Sequence, residues 1–277
     1  MAEQLVLLDS CVMFPMYLRD ILLRCARAGC YLPYWSQEIL DGATRNLVIT
    51  GKMSVERAMK LEGTITAAFP EAMVEVPNGL AEIMTNHPGD RHVLAAAVTA
   101  KADIIVTSNL KHFQAKDLAG WEIEAQHPDT FLTHLYDLDP DSILQVIQRW
   151  SLDLKKPPLT FVELLDLLSK EVPIFASKVL SREYSESIFH TTNKALNIVG
   201  RPIPEGGRYL EGERYRLWQK RGILTITAKD NRGNLLEVKN GKKIQGKFSS
   251  VDIKAFQVFE QSLQQELELT KTQKSQN

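Results

Sequence analysis

Two aspartates stand where apolar runs give way to polar side chains. Asp9 ends Leu5-Val6-Leu7-Leu8, and Asp90 opens Asp90-Arg91-His92-Val93-Leu94-Ala95-Ala96-Ala97. A third such place follows Ala102-Asp103-Ile104-Ile105-Val106, where Thr107, Ser108 and Asn109 close a strand-like run. In an open parallel α/β sheet the strand ends share one edge, and ligands bind there. Carboxylates gathered at such an edge repel one another and are costly to desolvate unless a cation joins them, which points to a divalent-metal site. A metal so held activates water against a phosphodiester.

Each of these residues also has a plainer reading. Asp9 can be a turn-forming aspartate that accepts local backbone N–H groups. Asp90 follows Pro88-Gly89 and precedes an apolar stripe, so it can cap a helix; a carboxylate has oxygens enough to cap and to bind metal. Thr107 and Asn109 either cap the next turn or face the cleft. Arg91 and His92 adjoin the site, where a phosphate contact competes with an ordinary ion pair. Asp103 begins its strand and so belongs to the opposite edge, in a structural role. His87, His112, His127 and His134 show no ligand spacing and are assigned no chemistry.

The elements that must position these groups are legible as alternating periods. Met16 to Ala28 reads as a helix stopped by Gly29, with Leu18, Ile21, Leu22 and Cys25 on one stripe. Trp35, Ile39, Ala43 and Leu47 form the stripe of the next helix, with Glu38 at its edge, a place that suits a side chain facing a cleft. Ser54 caps a helix running to Phe69, and Met73 to Val76 is a short strand. Residues 91–100 form an alanine-rich helix, followed by strands at 103–107 and near Glu122 to Ala125. Alternation of this kind predicts a doubly wound parallel sheet, an α/β fold.

From Pro140 to Leu180 the pattern turns helical, broken by Lys155-Lys156-Pro157-Pro158; Leu164, Leu165, Leu167 and Leu168 are too apolar for a free helix and must pack on the α/β core. Ser185 to Ile198 adds a helix, and Gly200, Pro202, Pro204, Gly206 and Gly207 mark a boundary. Beyond it Arg214-Tyr215-Arg216-Leu217-Trp218 and Leu224-Thr225-Ile226-Thr227-Ala228 alternate, and Leu235 to Val238 leads into Asn240-Gly241, a hairpin signal. A small antiparallel meander results, covered by a helix from Ser250 to about Leu267, with Val251, Ala255, Phe259 and Leu263 inward and a disordered tail from Thr270. The expected division is an α/β domain over 1–137, a helical extension over 138–200, a small basic α+β module over 201–268 and a tail over 269–277.

Composition sets the class. A chain of 277 residues, 44% hydrophobic and 24% charged, is an ordinary globular protein with room for two modest domains. No apolar run approaches membrane-spanning length, and the N-terminus lacks a signal-type pattern, so a cytoplasmic setting without membrane attachment is expected. Cys11, Cys25 and Cys30 match no zinc spacing and read as free thiols of a reducing compartment. The net charge of −1 conceals an asymmetry: residues 1–137 carry 11 Lys and Arg against 17 Asp and Glu, while 138–277 carry 22 against 17. A basic half joined to an acidic, metal-binding half suits a polyanionic substrate. Arg214, Arg216, Lys220 and Arg221 interleave with Tyr215 and Trp218, as on a single-stranded RNA platform, although aromatics on small sheets are more often core.

Asp9-Ser10-Cys11-Val12, Trp35-Ser36 through Arg45-Asn46-Leu47, Asp90 to Ala97, and Ile105-Val106-Thr107-Ser108-Asn109-Leu110-Lys111-His112-Phe113 together resemble a PIN domain of the VapC-like toxin type. The resemblance covers roughly residues 1–137, and its order and spacing are far more specific than any single motif. A helical extension opening on Pro-Pro-Leu-Thr, here Pro157 to Thr160, also follows some VapC-like domains. What the resemblance implies is a Mg²⁺- or Mn²⁺-dependent endoribonuclease that cuts RNA, with an antitoxin protein as partner and a homodimer as an assembly to look for. It carries metal binding onto Asp9 and Asp90. The family acid in the second helix falls on Gly42 and the fourth acidic position on Asn109, two departures. Glu38 lies one helical turn before Gly42 on nearly the same side and can replace the missing acid, with Asp41 the weaker substitute. The catalytic set is then Asp9, Asp90, Glu38 and Asn109, with Arg91 near phosphate.

Two other acid-bearing α/β families fail by residue. A haloacid-dehalogenase-type phosphatase needs a second Asp where Cys11 stands, and a response-regulator receiver needs an acidic pair and a later strand-end lysine that are missing here. The serious rival is a catalytically degenerate PIN-like module that binds RNA or regulates a protein, with Gly42 marking the loss.

Overall fold

Leu5–Leu8 (β1) is apolar at every position because both its faces are covered, and Val6, Leu7 and Leu8 are fully buried. It is the middle strand of a parallel sheet. Leu32–Ser36 (β2) pairs with it on one side and Ile104–Val106 (β4) on the other, and Met73–Val74 (β3) and Glu124–Gln126 (β5) close the order β3-β2-β1-β4-β5. The doubly wound α/β expectation is met. The coordinates, a computed structural model, describe residues 4–180, 182, 200–203, 207–211, 215–220, 223–229, 235–239 and 243–244. The expected helices at 185–198 and 250–267, Pro204 and Gly206 of the boundary, the Asn240-Gly241 turn and the tail at 270–277 lie outside them. Two compact units divide the chain, Met1–Phe175 and Ala176–Asn277.

Helices cover the first unit's sheet in the order α1 (Ser10–Met13), α2 (Met16–Arg27), α3 (Gln37–Ile49), α4 (Val55–Ala68), α5 (Arg91–Ala100), α6 (Ala115–Leu118) and α7 (Pro128–Leu138). The run Val93 to Ala97 in α5 is fully buried, and its small side chains let the helix lie close against β1 and β2. Ser54 caps α4 by accepting the Arg57 N–H, as its position before the periodic stretch predicts.

Some element bounds depart from the sequence reading: β3 ends at Val74, two residues before the expected Val76. Trp35 belongs to β2 and not to the helical stripe; it is fully buried and meets Phe69 edge-on at 5.8 Å. Aromatics favour a pleated, half-covered strand, and Ser36 accepts the Ile39 N–H, so the helix starts only at Gln37. Likewise β5 begins at Glu124, because Glu122 adopts φ 58° and cannot continue an extended strand.

The helical extension packs as its leucines require. Pro140–Asp153 (α8) and Phe161–Leu168 (α9) lie against α2, with Trp150, Leu164, Leu165 and Leu168 fully buried. Thr160 and Glu163 form a reciprocal capping box at the start of α9. A further helix spans residues 173–180. Its first turn is tied down by Asp129 of α7, whose carboxylate accepts the N–H groups of Ile174 at 3.0 Å and Phe175 at 2.7 Å. Among the described residues no helix is long and apolar enough to cross a membrane.

In the second unit the antiparallel meander is present, in the order β11-β10-β9-β8-β7-β6. Its strands are Arg201–Pro202 (β6), Gly207–Glu211 (β7), Tyr215–Lys220 (β8), Ile223–Lys229 (β9), Leu235–Lys239 (β10) and Lys243–Ile244 (β11). Lys239 pairs with Lys243 across the position of the predicted hairpin. Gly207 takes φ 147°, and any Cβ there would overlap the Gln219 carbonyl oxygen, so only glycine fits.

Candidate active site

The strand order reverses between β1 and β4, and their carboxyl ends therefore open the crevice where doubly wound sheets bind ligands. Asp9 is the first residue past β1 and Thr107 the first past β4. The Asp9 carboxylate is held by three short-range donors: Thr107 Oγ1 at 2.7 Å, Ser10 Oγ at 3.1 Å and Cys11 Sγ at 3.1 Å. Burial, and then the Asp9 charge, push the Cys11 thiol up to about 12, so it stays protonated and donates. Thr107 Oγ1 in turn accepts the Asn109 N–H at 3.0 Å, and Cys11 Sγ accepts the Ser108 N–H at 3.2 Å. These bonds lock the ends of the two strands together.

Asp9 is only 2% exposed, and among the described residues no Lys or Arg pairs with it. Hydrogen bonds of this kind orient a carboxylate without cancelling its charge, and a buried charge needs a pairing cation or a metal. The turn that carries Asp9 is itself braced. Arg19, 4% exposed, reaches back from α2 and donates to the Met13 carbonyl at the end of α1, at 2.8 Å.

Asp90 stands where a short 3-10 turn, Pro88–Asp90, passes into α5, yet its side chain does not cap that helix. Its Oδ2 accepts from His112 Nδ1 at 2.6 Å instead. The His112 and His87 rings stack at 4.0 Å with 12° between their planes, and the His87 N–H donates to the His112 carbonyl at 3.3 Å. Both histidines were assigned no chemistry from sequence. The available signal was local: His112 falls three residues after Asn109 and His87 three before Asp90.

A cleft of about 600 Å³ brings Glu38, Gly42 and Arg45 of α3 against Ser10, Asp90 and Arg91. Glu38 and Asp90 therefore share one wall system, and His92 joins them; Asp9 and Asn109 are not among the lining residues. Arg91 is half-buried, with its Nε enclosed and without a hydrogen-bond partner among the described residues. Asp41, the weaker substitute, accepts from Gln37 Nε2 at 2.8 Å and lines a separate groove between α3 and α4. Gly42 has a packing reason: a Cβ there would come 3.3 Å from Ser10 Cβ, so its absence lets α3 approach the turn that follows Asp9. Asp103 accepts the Leu5 N–H at 2.8 Å, on the amino edge of the sheet and away from this cleft.

Comparison with known proteins gives this geometry a context. The model of the VapC50 C-terminal domain family matches residues 128–181, the stretch opening with α7. A curated relative from Mycobacterium tuberculosis (strain ATCC 25618 / H37Rv), "Putative ribonuclease VapC50", is 46% identical over 101 residues. Over part of its length the chain is therefore similar to VapC-type proteins. That alignment spans 36% of this chain and 60% of the relative, less than two thirds of the relative's length. No solved structure matches the chain.

In the second unit, Arg216 and Trp218 share the exposed face of β8 while Leu217 between them is fully buried. Arg216 donates through Nε to Glu211 at 2.6 Å, so its charge is partly engaged at the surface. Of the other residues read as RNA-contacting, Arg214 and Arg221 lie outside the described residues and Lys220 is described by its backbone alone.

Proposed function

We propose that this VapC-like chain is a divalent-metal-dependent endoribonuclease in which Asp9, Asp90 and Glu38 hold a Mg²⁺ or Mn²⁺ ion. The observation that carries this reading is the Asp9 carboxylate: oriented by three donors, 2% exposed, and without a cationic partner among the described residues. All-oxygen donors suit a hard cation. Such an ion supplies Lewis-acid polarisation of a phosphodiester and stabilises charge that develops on it. Asn109 would add a neutral amide beside Thr107. Arg91, which lines the cleft, would offer its guanidinium to a phosphate oxygen and fix the strand in register.

The name of the mycobacterial relative supports RNA as the substrate class. Toxin activity restrained by an antitoxin, homodimer formation and a cytoplasmic setting belong to the same proposal; the three free cysteines accord with a reducing compartment. The basic second unit would add affinity for RNA without entering the chemistry.

One observation favours the rival, catalytically degenerate reading. Gly42 is explained by its fit against Ser10, and Glu38, its substitute, is an exposed helix glutamate. The deciding experiment incubates the purified full-length protein with total RNA and Mn²⁺ or Mg²⁺, comparing wild type with Asp9→Asn and Asp90→Asn. The proposal expects cleavage by wild type and losses of orders of magnitude in both variants, without loss of the fold. Full activity in both variants would refute it.

A further inference from the structure

We propose that His112 is a positioning residue that fixes Asp90 for cation binding through the Nδ1–Oδ2 hydrogen bond; this rests on the metal reading above. Asp90 lines the cleft, while His112 is not among the lining residues and approaches the same carboxylate at 2.6 Å. An ionised carboxylate can only accept, so His112 must carry its proton on Nδ1. Oδ2 is thereby committed to the imidazole. Oδ1 remains for the cation.

The histidine is itself prepared for this task. Its ring is stacked on His87 at 4.0 Å, and its carbonyl accepts the His87 N–H at 3.3 Å. The His87 carbonyl accepts the Asp90 N–H at 2.9 Å, and Asn86, 2% exposed, donates from Nδ2 to the Asp90 carbonyl at 3.0 Å. On the other side the His112 N–H donates to the Asn109 carbonyl at 2.8 Å. The turn after β4 and the turn before α5 are thus zipped together, and the His112–Asp90 bond is the link that reaches the site. His87, Asp90 and His112 also form a cluster whose ligand atoms all lie within 4.8 Å of one another, as in a metal-binding trio. Stacked rings only 12° apart aim their in-plane lone pairs along nearly parallel planes, so both imidazoles cannot address one ion as they stand. Orientation of Asp90 is the role this arrangement favours.

Partners behind a metal ligand change affinity by roughly 10- to 100-fold when removed. The test measures Mn²⁺ binding to the full-length protein by titration calorimetry for wild type, His112→Ala, His112→Asn and His112→Gln. Asn puts an amide donor near the place of Nδ1, and Gln puts one near Nε2. The expectation is a loss of roughly 10- to 100-fold for Ala and Gln and recovery to near wild-type affinity for Asn. In an Asp90→Asn background His112→Ala should produce no further loss, which a general packing defect would not obey. If Ala fails to fold, the contrast between Asn and Gln decides. Mn²⁺ binding by wild type with equal affinity in Ala, or with Gln matching Asn, overturns the positioning role alone. Absence of Mn²⁺ binding by wild type overturns the metal reading, and this inference with it.

Discussion

Replacing Thr107 with Val removes one hydroxyl and almost no volume, and it strikes the two shortest bonds of this hydroxyl, which also lies 3.4 Å from Cys11 Sγ. Thr107 is fully buried, donates to Asp9 Oδ2 at 2.7 Å and accepts the Asn109 N–H at 3.0 Å. A hydrogen bond to a charged group contributes about 1.5–3 kcal/mol. The Asn109 N–H loses its acceptor too, but Asn109 is half-buried and water can partly replace it, so the low end of the usual penalty applies, about 1 kcal/mol. Together these give a destabilisation of roughly 2.5–4 kcal/mol. For a unit of this size each kcal/mol is worth about 2–4 °C, so the melting temperature should fall by roughly 5–16 °C.

Thr107→Ser is the control, since it keeps the hydroxyl and loses only a buried methyl, about 1 kcal/mol. Urea denaturation of wild type and both variants, at neutral pH and in chelator, measures the order. Val must cost more than Ser. A Val variant within about 0.5 kcal/mol of wild type, or a Ser variant that is the worse of the two, would refute the view that the hydroxyl holds a charged Asp9.

Further outcomes follow from other contacts. Gly42→Glu should raise Mn²⁺ affinity in calorimetry by adding a carboxylate to the cleft, but the 3.3 Å approach to Ser10 Cβ should keep its stability gain below the roughly 1 kcal/mol that helix propensity offers. If Gly42→Glu leaves affinity unchanged while Glu38→Gln abolishes binding, Glu38 already fills the role. Asp129→Ala should destabilise by about 2–4 kcal/mol in urea, because two N–H groups at residues 174 and 175 lose their acceptor; Asp129→Asn, which keeps one carbonyl oxygen, should cost less. RNA affinity of the full chain should fall steeply with salt, and a chain ending at Ser181 should bind more weakly with a shallower slope. Equal affinity and slope in a filter-binding series would remove the second unit from RNA binding.

The sequence by itself carried the sheet, because a parallel strand buried on both faces has to be a continuous apolar run and a surface helix has to show a 3.6-residue stripe. Leu5 to Leu8, the alanine-rich stretch after Asp90 and the leucines at 164–168 all state their burial in their own spacing. The end of β1 followed from this, and with it the position of Asp9, while the stripe of the alanine-rich helix put Asp90 at that helix's start. The local period could not separate Trp35 from the helix beside it, since one aromatic fits either stripe and only the Ser36 cap marks where the helix begins. Nor could it show that Asp9 is locked by Thr107 across 98 positions of chain, that Gly42 makes room for Ser10, or that Asp90 turns away from its helix toward His112. These are contacts between residues distant in sequence, decided when two sheet ends and a helix close on one another. Residue types announce which chemistry is available, and the three-dimensional closure decides which side chains meet.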